Sequence, residues 1–393
     1  MEKSDFEKWA NSTQIKSVAG RTIEVPGAEF LAYFLIHKKE RSPSRYPDIQ
    51  AIKQDIKMGS ETLEEWVDYD GKTLHVCDDC DSLGNTFTEH LGEAAGLAVV
   101  NRIHGLNEAD WMKIPEIPGR NGRKTLDWNY ASDGKDFIEM EAKGAFTEKV
   151  DRLAEISGHK ASIKTKKKDS SKTCHPRYNQ RALRYGTITS ISKNPNSLLT
   201  VRLVDPEGED YDRNPHDARI LKRLSWASWL ICQIAGRTQF SVALQNRLAA
   251  LLRTNDLVSF NKLSLLGGTG KPMEGSQFID RFFANRTSSK ELQSAGVLTQ
   301  FDKEHLLFIG LSRRWMLPII RQRFDEISKL NFEPRSKATQ LDCVLSPHQM
   351  DTKFPDVPVE DLTEDGNLLR FRRKAVLHQS AGGMVFGLVS KFG

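Results

Sequence analysis

The segment DFIEMEAKG, residues 136–144, alternates apolar and charged side chains from Ile138 onward, the pattern of a strand with one face in a core. Ile138, Met140 and Ala142 point one way, and Glu139, Glu141 and Lys143 the other. Residues 125–131 alternate likewise, with Leu126, Trp128 and Tyr130 on one face and Thr125, Asp127 and Asn129 on the other. The two apolar sets must share a core face, because a one-residue slip would send one of them to solvent. A two-residue Asp133-Gly134 turn would set Asp127 opposite Met140 and put an acid in the core. A three-residue Ser132-Asp133-Gly134 turn, with Gly134 left-handed for its bulge, pairs Ala131 with Lys135 and Asp127 with Glu139. Three acids and a lysine then line one face, which is either the wet side of a strand or a site.

Two carboxylates a few ångströms apart repel unless a cation joins them. Oxygen-only ligands suit Mg²⁺ or Mn²⁺ better than zinc. A lysine beside such an ion can help deprotonate water and stabilise charge on phosphate. That is the chemistry of phosphodiester hydrolysis.

Asp127, a hairpin, and Glu141-Ala142-Lys143 at the end of an apolar strand resemble the PD-(D/E)XK nuclease superfamily, over roughly residues 85–205. The resemblance implies a restriction-endonuclease-like α/β core, a mixed sheet flanked by helices. It implies DNA as substrate and a metal-dependent endonuclease in which a metal-bound water attacks phosphorus in line. It also assigns roles: Asp127 and Glu141 as metal-binding acids, the Ala142 carbonyl as a further ligand, and Lys143 as the group that places the water. The family's preceding helix often supplies another acid, for which Glu93 in GEAAG is the best match and Glu89 the substitute. Leu126 stands where the family name has proline. The alternative is a catalytically inactive module on the same fold that binds nucleic acid or protein.

Around this pair the chain reads as a helix over 86–104, ended by Gly105, strands over 125–131 and 136–144, a helix over 147–156, and strands over 185–192 and 198–204. Helices are expected over 218–235 and 238–253, separated by Gly236, and a long helix over 301–330, kinked at Pro318. These divisions predict an N-terminal α/β segment (1–80), a nuclease-like core (81–215), an added α-helical domain (216–335) and a short β-rich C-terminus (336–393). The helical domain is the place for a protein partner or self-association. Trp226, Trp229 and Trp315 read as its core.

Between the strands lies a basic insert, residues 159–184, with nine lysines and arginines against Asp169 alone. Lys164, Lys166, Lys167, Lys168, Lys172, Arg177 and Arg181 are the candidate contacts to a phosphate backbone. The net charge of +5 on 393 residues is too small to imply nucleic acid by itself, so the clustering carries that expectation. The longest apolar run, Phe30 to Ile36, is far shorter than the about 20 residues that span a bilayer, and no signal peptide is visible. With five cysteines and no disulfide framework, an intracellular, cytoplasmic setting without membrane attachment is expected. Cys77 and Cys80 make half a zinc site, which Cys174, His175 or His75 could complete; free thiols in an acidic loop are the plainer reading. The Gly267–Lys271 stretch fails as a phosphate loop, because Pro272 replaces the required Ser/Thr.

Overall fold

A computed structural model describes residues 12–37, 49–69, 74–76, 84–112, 126–147, 153–171, 180–192, 198–211, 214–236, 238–273, 285–287, 292, 294–345, 363–365 and 368–392. The chain divides into two compact units, one containing Gln54–Arg219 and the other Ile220–Gly393.

The chain begins with helices α1 (Ser12–Val18), α2 (Gly27–Leu31) and α3 (Ile49–Trp66); within this stretch, Pro26–Glu29 and Asp48–Lys53 belong to the second unit. The apolar run after α2 continues it as a π-helical turn, Ala32–Ile36, with all five residues buried. A small hairpin pairs β1 (Val67–Tyr69) with β2 (Leu74–Val76). Helix α4 (Asn85–His104) follows and ends, as its sequence requires, at Gly105 with φ 59°. A four-stranded mixed sheet comes next: β3 (Trp128–Ser132), β4 (Phe137–Thr147), β5 (Gln180–Ser192) and β6 (Thr200–Tyr211), in that spatial order. The β3–β4 and β5–β6 pairs are antiparallel, whereas β4 and β5 run parallel. A parallel pair needs a crossover, and helix α5 (Leu153–Ser171) supplies it. The expected α/β core with a mixed sheet flanked by helices is therefore present at that level of description.

The two helices cover opposite faces of the sheet. Gly144 faces α4 so closely that a Cβ there would lie 1.8 Å from the Thr88 carbonyl oxygen. Gly92, on α4, would likewise strike the Gly144 and Lys143 backbone. On the other face, Ile156 and Ile163 of α5 pack with Ala145, Ile188 and Val204. The hairpin tip is pinned by His104, whose ring nitrogens reach Asp133 Oδ2 (2.9 Å) and the Tyr185 hydroxyl (2.8 Å). Arg219 donates to the Asp133 carbonyl (2.6 Å) and pairs with Asp110 (3.1 Å). Burial alone would raise the Asp133 carboxyl, but bonds from His104 and from the Asp136 and Lys135 amides outweigh it and hold it below its ordinary range.

Helix α6 (Pro215–Ala235) bridges into the second unit, and α7 (Gln239–Thr254) follows, capped by Thr238 with Ser241 returning the bond. Gly236 between them has φ 66°. The rest of this unit differs from the expected helical domain. Strands β7 (Asn285–Thr287), β8 (Ser294–Gln300) and β9 (His305–Ser312) precede two short helices, α8 (Met316–Ile320) and α9 (Phe324–Lys329). The long helix expected over 301–330 is thus a strand and two short helical pieces. HLLFIGLS is apolar on both parities because β9 is buried on both faces, and such a run does not distinguish strand from helix. The C-terminal strands β10 (Arg335–Leu345), β11 (Thr363–Asp365), β12 (Leu368–Gln379) and β13 (Met384–Ser390) join the same sheet. Pairing runs β10–β7–β8–β9–β13–β12 and returns to β10, which closes six strands into an antiparallel barrel. Leu298, Phe308, Leu341, Phe371 and Leu377 belong to its core. Trp226 and Trp315 are fully buried 5.4 Å apart, and Trp229 is half-buried. The Gly267–Lys271 stretch closes a tight turn, with the Gly267 amide donating to the Lys271 carbonyl (2.9 Å).

A candidate carboxylate–lysine active site

The hairpin keeps Leu126, Asp127 and Trp128 on their expected faces but pairs the strands differently, and Ala131 moves to the face of Ile138. Ser132 faces Phe137, and the Asp133 carboxylate accepts from the Lys135 and Asp136 amides (2.7 Å each), so the loop is one residue longer than expected. A bulge between Trp128 and Ala131 then shifts the register, and Trp128 lies opposite Met140. Together these move Asp127 by two positions, from Glu139 to Glu141, without changing its face. Leu126, Ile138 and Met140 are buried as expected, while Trp128 is half-buried against Trp111.

Asp127 stands where β3 leaves β4. Its carboxylate takes the place of a ladder acceptor and receives the Ala142 amide (3.0 Å), while its own amide donates to Glu141 Oε2 (3.3 Å). The two acids are therefore held together by the backbone of the strand end. Lys143 Nζ lies 2.9 Å from Glu141 Oε1. Lys166, from α5, donates to that same oxygen and lies 3.5 Å from Asp127 Oδ1. His159, on the same helix, is near enough to Lys143 for the ammonium to lower its pKa, after the larger effect of burial.

The charged face is not wet. The Glu141 side chain is 0% exposed and that of Asp127 3%, because α5 covers them. Burial pushes the Glu141 carboxyl above its ordinary range and the neighbouring Asp127 pushes it further, against the pull of the two lysines. Glu139, expected opposite Asp127, is instead held by buried Arg184 (3.0 Å).

Glu93 does not join this group. Helix α4 covers the other face of the sheet, the one toward which Gly144 points, and Glu93 is buried there, with Glu89 half-buried one turn earlier. Among the described residues no set of three or more His, Cys, Asp and Glu is placed to hold a metal. Ala142 enters through its amide.

Of the basic insert, residues 159–171 belong to helix α5 and residues 180–184 to strand β5. Lys164 and Lys168 are exposed on α5, but Lys166 serves the acids, and buried Lys167 donates to the Val204 carbonyl (3.0 Å). Lys172, Arg177 and the side chain of Arg181 lie outside the described residues, as do Cys77, Cys80, Cys174 and His175. What the sequence missed is the role of Lys166. Its only signal is helical spacing from Ile156, His159 and Ile163, which is legible once residues 153–171 are read as one helix.

The chain matches no protein-family model, no curated protein and no solved structure. No helix among the described residues is long and apolar enough to cross a membrane.

Proposed function

We propose that the chain is a metal-dependent endonuclease that hydrolyses phosphodiester bonds in DNA, with Asp127, Glu141 and Lys143 at its centre. One observation carries this reading: two buried carboxylates converge at a strand end with a lysine on one of them. Like the motif, the order helix, hairpin, crossover helix and parallel strand resembles the PD-(D/E)XK core.

The donor set fits Mg²⁺ or Mn²⁺. Both carboxylate groups lie within reach of one ammonium nitrogen, and Mg²⁺ is commonly held by one or two carboxylates with waters completing its shell. Asp127 and Glu141 would hold the ion, which when bound polarises phosphate and water. Lys143 lies beside the pair and would stabilise charge developing on phosphate. Its side chain is 21% exposed and so open to substrate. The Ala142 amide and the Asp127 amide fix both acids before substrate arrives, so no reorganisation is required of them. Exposed Lys164 and Lys168 lie on the helix that covers this face and suit phosphate contacts.

One observation favours the second reading, a catalytically inactive binding module: the two carboxylates already have two lysines as counter-charges. Supercoiled plasmid incubated with Mg²⁺ decides between them, with EDTA as control and a structured RNA as a parallel substrate. The endonuclease reading expects nicked or linear plasmid. It expects a loss of about 100-fold or more in Asp127→Asn, Glu141→Gln and Lys143→Ala, each checked for fold by circular dichroism. Isosteric variants are chosen because both acids are buried. Undiminished cleavage in these variants, or none in the wild type, sinks the reading, and cleavage of RNA alone corrects the substrate.

A further inference from the structure

Of the two lysines at the site, only Lys166 touches both acids. Its ammonium donates to Glu141 Oε1 and lies 3.5 Å from Asp127 Oδ1, whereas the described ion pair of Lys143 is with Glu141. Lys166 therefore lies between the carboxylates, where a cation shared by them must sit. The charges there balance: two carboxylates against two ammonium groups. Adding a divalent ion without removing a lysine leaves two excess positive charges among groups a few ångströms apart, where repulsion is strong. Lys166 is also the member able to leave. Its side chain is 43% exposed against 21% for Lys143, and it reaches in from a helix on a long flexible stem.

We infer that Lys166 is the resident counter-cation of the Asp127–Glu141 pair and competes with a divalent metal for it, so that metal entry requires its ammonium to swing out of the site. The inference rests on the reading of these acids as a metal site and adds a built-in threshold to it. In effect, the protein keeps its acids neutralised until metal is abundant enough to expel Lys166, and the displaced ammonium remains at the mouth of the site for an anionic substrate.

The test is Mn²⁺ binding to the full chain, read from the electron paramagnetic resonance signal of the free ion, with no substrate and no turnover. Lys166→Met should bind Mn²⁺ about tenfold or more tightly than wild type, Lys143→Met should gain less, and Asp127→Asn should lose the site. Lys166→Gln, which keeps polarity without charge, should match Lys166→Met and stands in for it if that variant folds poorly. Asp127-dependent binding in the wild type that is equal or weaker in the Lys166 variants overturns the inference and leaves the metal site standing. An equal gain in Lys143→Met also overturns it, since bulk charge would then suffice. Absence of Asp127-dependent binding in every variant overturns both. A Mn²⁺-soaked crystal of the wild type gives a second reading: Lys166 Nζ withdrawn from Glu141 supports the inference, and an ion bound with Lys166 still in place refutes it.

Discussion

The two faces of β4 carry opposite kinds of contact. On the α4 side, helix and strand approach backbone to backbone, Gly92 against Gly144 and Gly144 against the Thr88 carbonyl. On the α5 side, the same strand presents Glu139, Glu141 and Lys143, and each acid is met by charge: Arg184 for Glu139, Lys166 and Lys143 for Glu141. Both faces are buried, so alternation of apolar and charged residues does not mean inside and outside here. One helix contributes shape and the other contributes a cation, Lys166. The charged face is further divided. Glu139 is held by a guanidinium, which is rigid and always ionised, whereas Glu141 is held by ammonium groups on flexible stems. A structural ion pair and an exchangeable one stand two residues apart.

The sharpest way to break this comparison is steric. Gly144→Ala places a methyl group 1.8 Å from the Thr88 carbonyl oxygen, so α4 must lift from the sheet, at a cost of about 3 kcal/mol or more. Denaturant unfolding of the first unit should show that loss. Near-wild-type stability would mean that the α4 face does not depend on close approach.

The charged face should respond with the opposite sign. The Glu141 carboxyl has its pKa raised by burial and by Asp127, so the folded state binds a proton more tightly than the unfolded state. Stability contributed through this group is therefore present below the ordinary glutamate value of 4.5 and declines as pH rises through the raised pKa. Glu141→Gln removes that decline. Without metal, its melting temperature should exceed that of the wild type at neutral pH, and the gap should close as pH falls toward 4.5. A constant gap across this range would mean that Glu141 does not titrate in that window.

The smallest expected effect lies on the outer side of α5. Lys164→Gln with Lys168→Gln should change stability by no more than about 0.5 kcal/mol. The pair should nonetheless lower the salt dependence of DNA binding by about two counterions, measured by fluorescence anisotropy across a salt series. Lys166 and Lys167 are left intact because their ammonium groups are used inside the fold. An unchanged salt slope would assign the exposed lysines to solvent alone.

Strong periodicity was legible, and partner choice was not. The alternation in DFIEMEAKG and the stripe of α4 placed both elements within a few residues, and the parity of Asp127, Glu141 and Lys143 held. Parity says nothing of a shift by two, so a bulge and a longer turn could move Asp127 from Glu139 to Glu141 unseen. A helix is expected over 147–156, but Thr147 ends β4 and α5 runs Leu153–Ser171. Its extent was hidden because its buried positions include Ile156, Ile163 and Lys167, and lysine stems can cover a sheet as apolar residues do. Strand β9 was hidden for the converse reason, since burial on both faces removes any period. Of the site, the acids and Lys143 could be read from adjacent strands. Lys166 could not, because only the parallel crossover brings residues 25 apart into contact.

That crossover has a consequence for how the protein is made. Asp127 and Glu141 emerge from synthesis before Lys166, the cation that touches both. Until α5 has been added and has docked, burying the pair would leave two carboxylates against Lys143 alone, so they stay hydrated and the strand end stays loose. The sheet can pair its first hairpin early by a local contact, but its charged end closes only when the chain has completed the long loop through α5. The feature that neutralises the acids therefore also times their burial: the pair cannot gain its shared cation in a chain interrupted before Lys166.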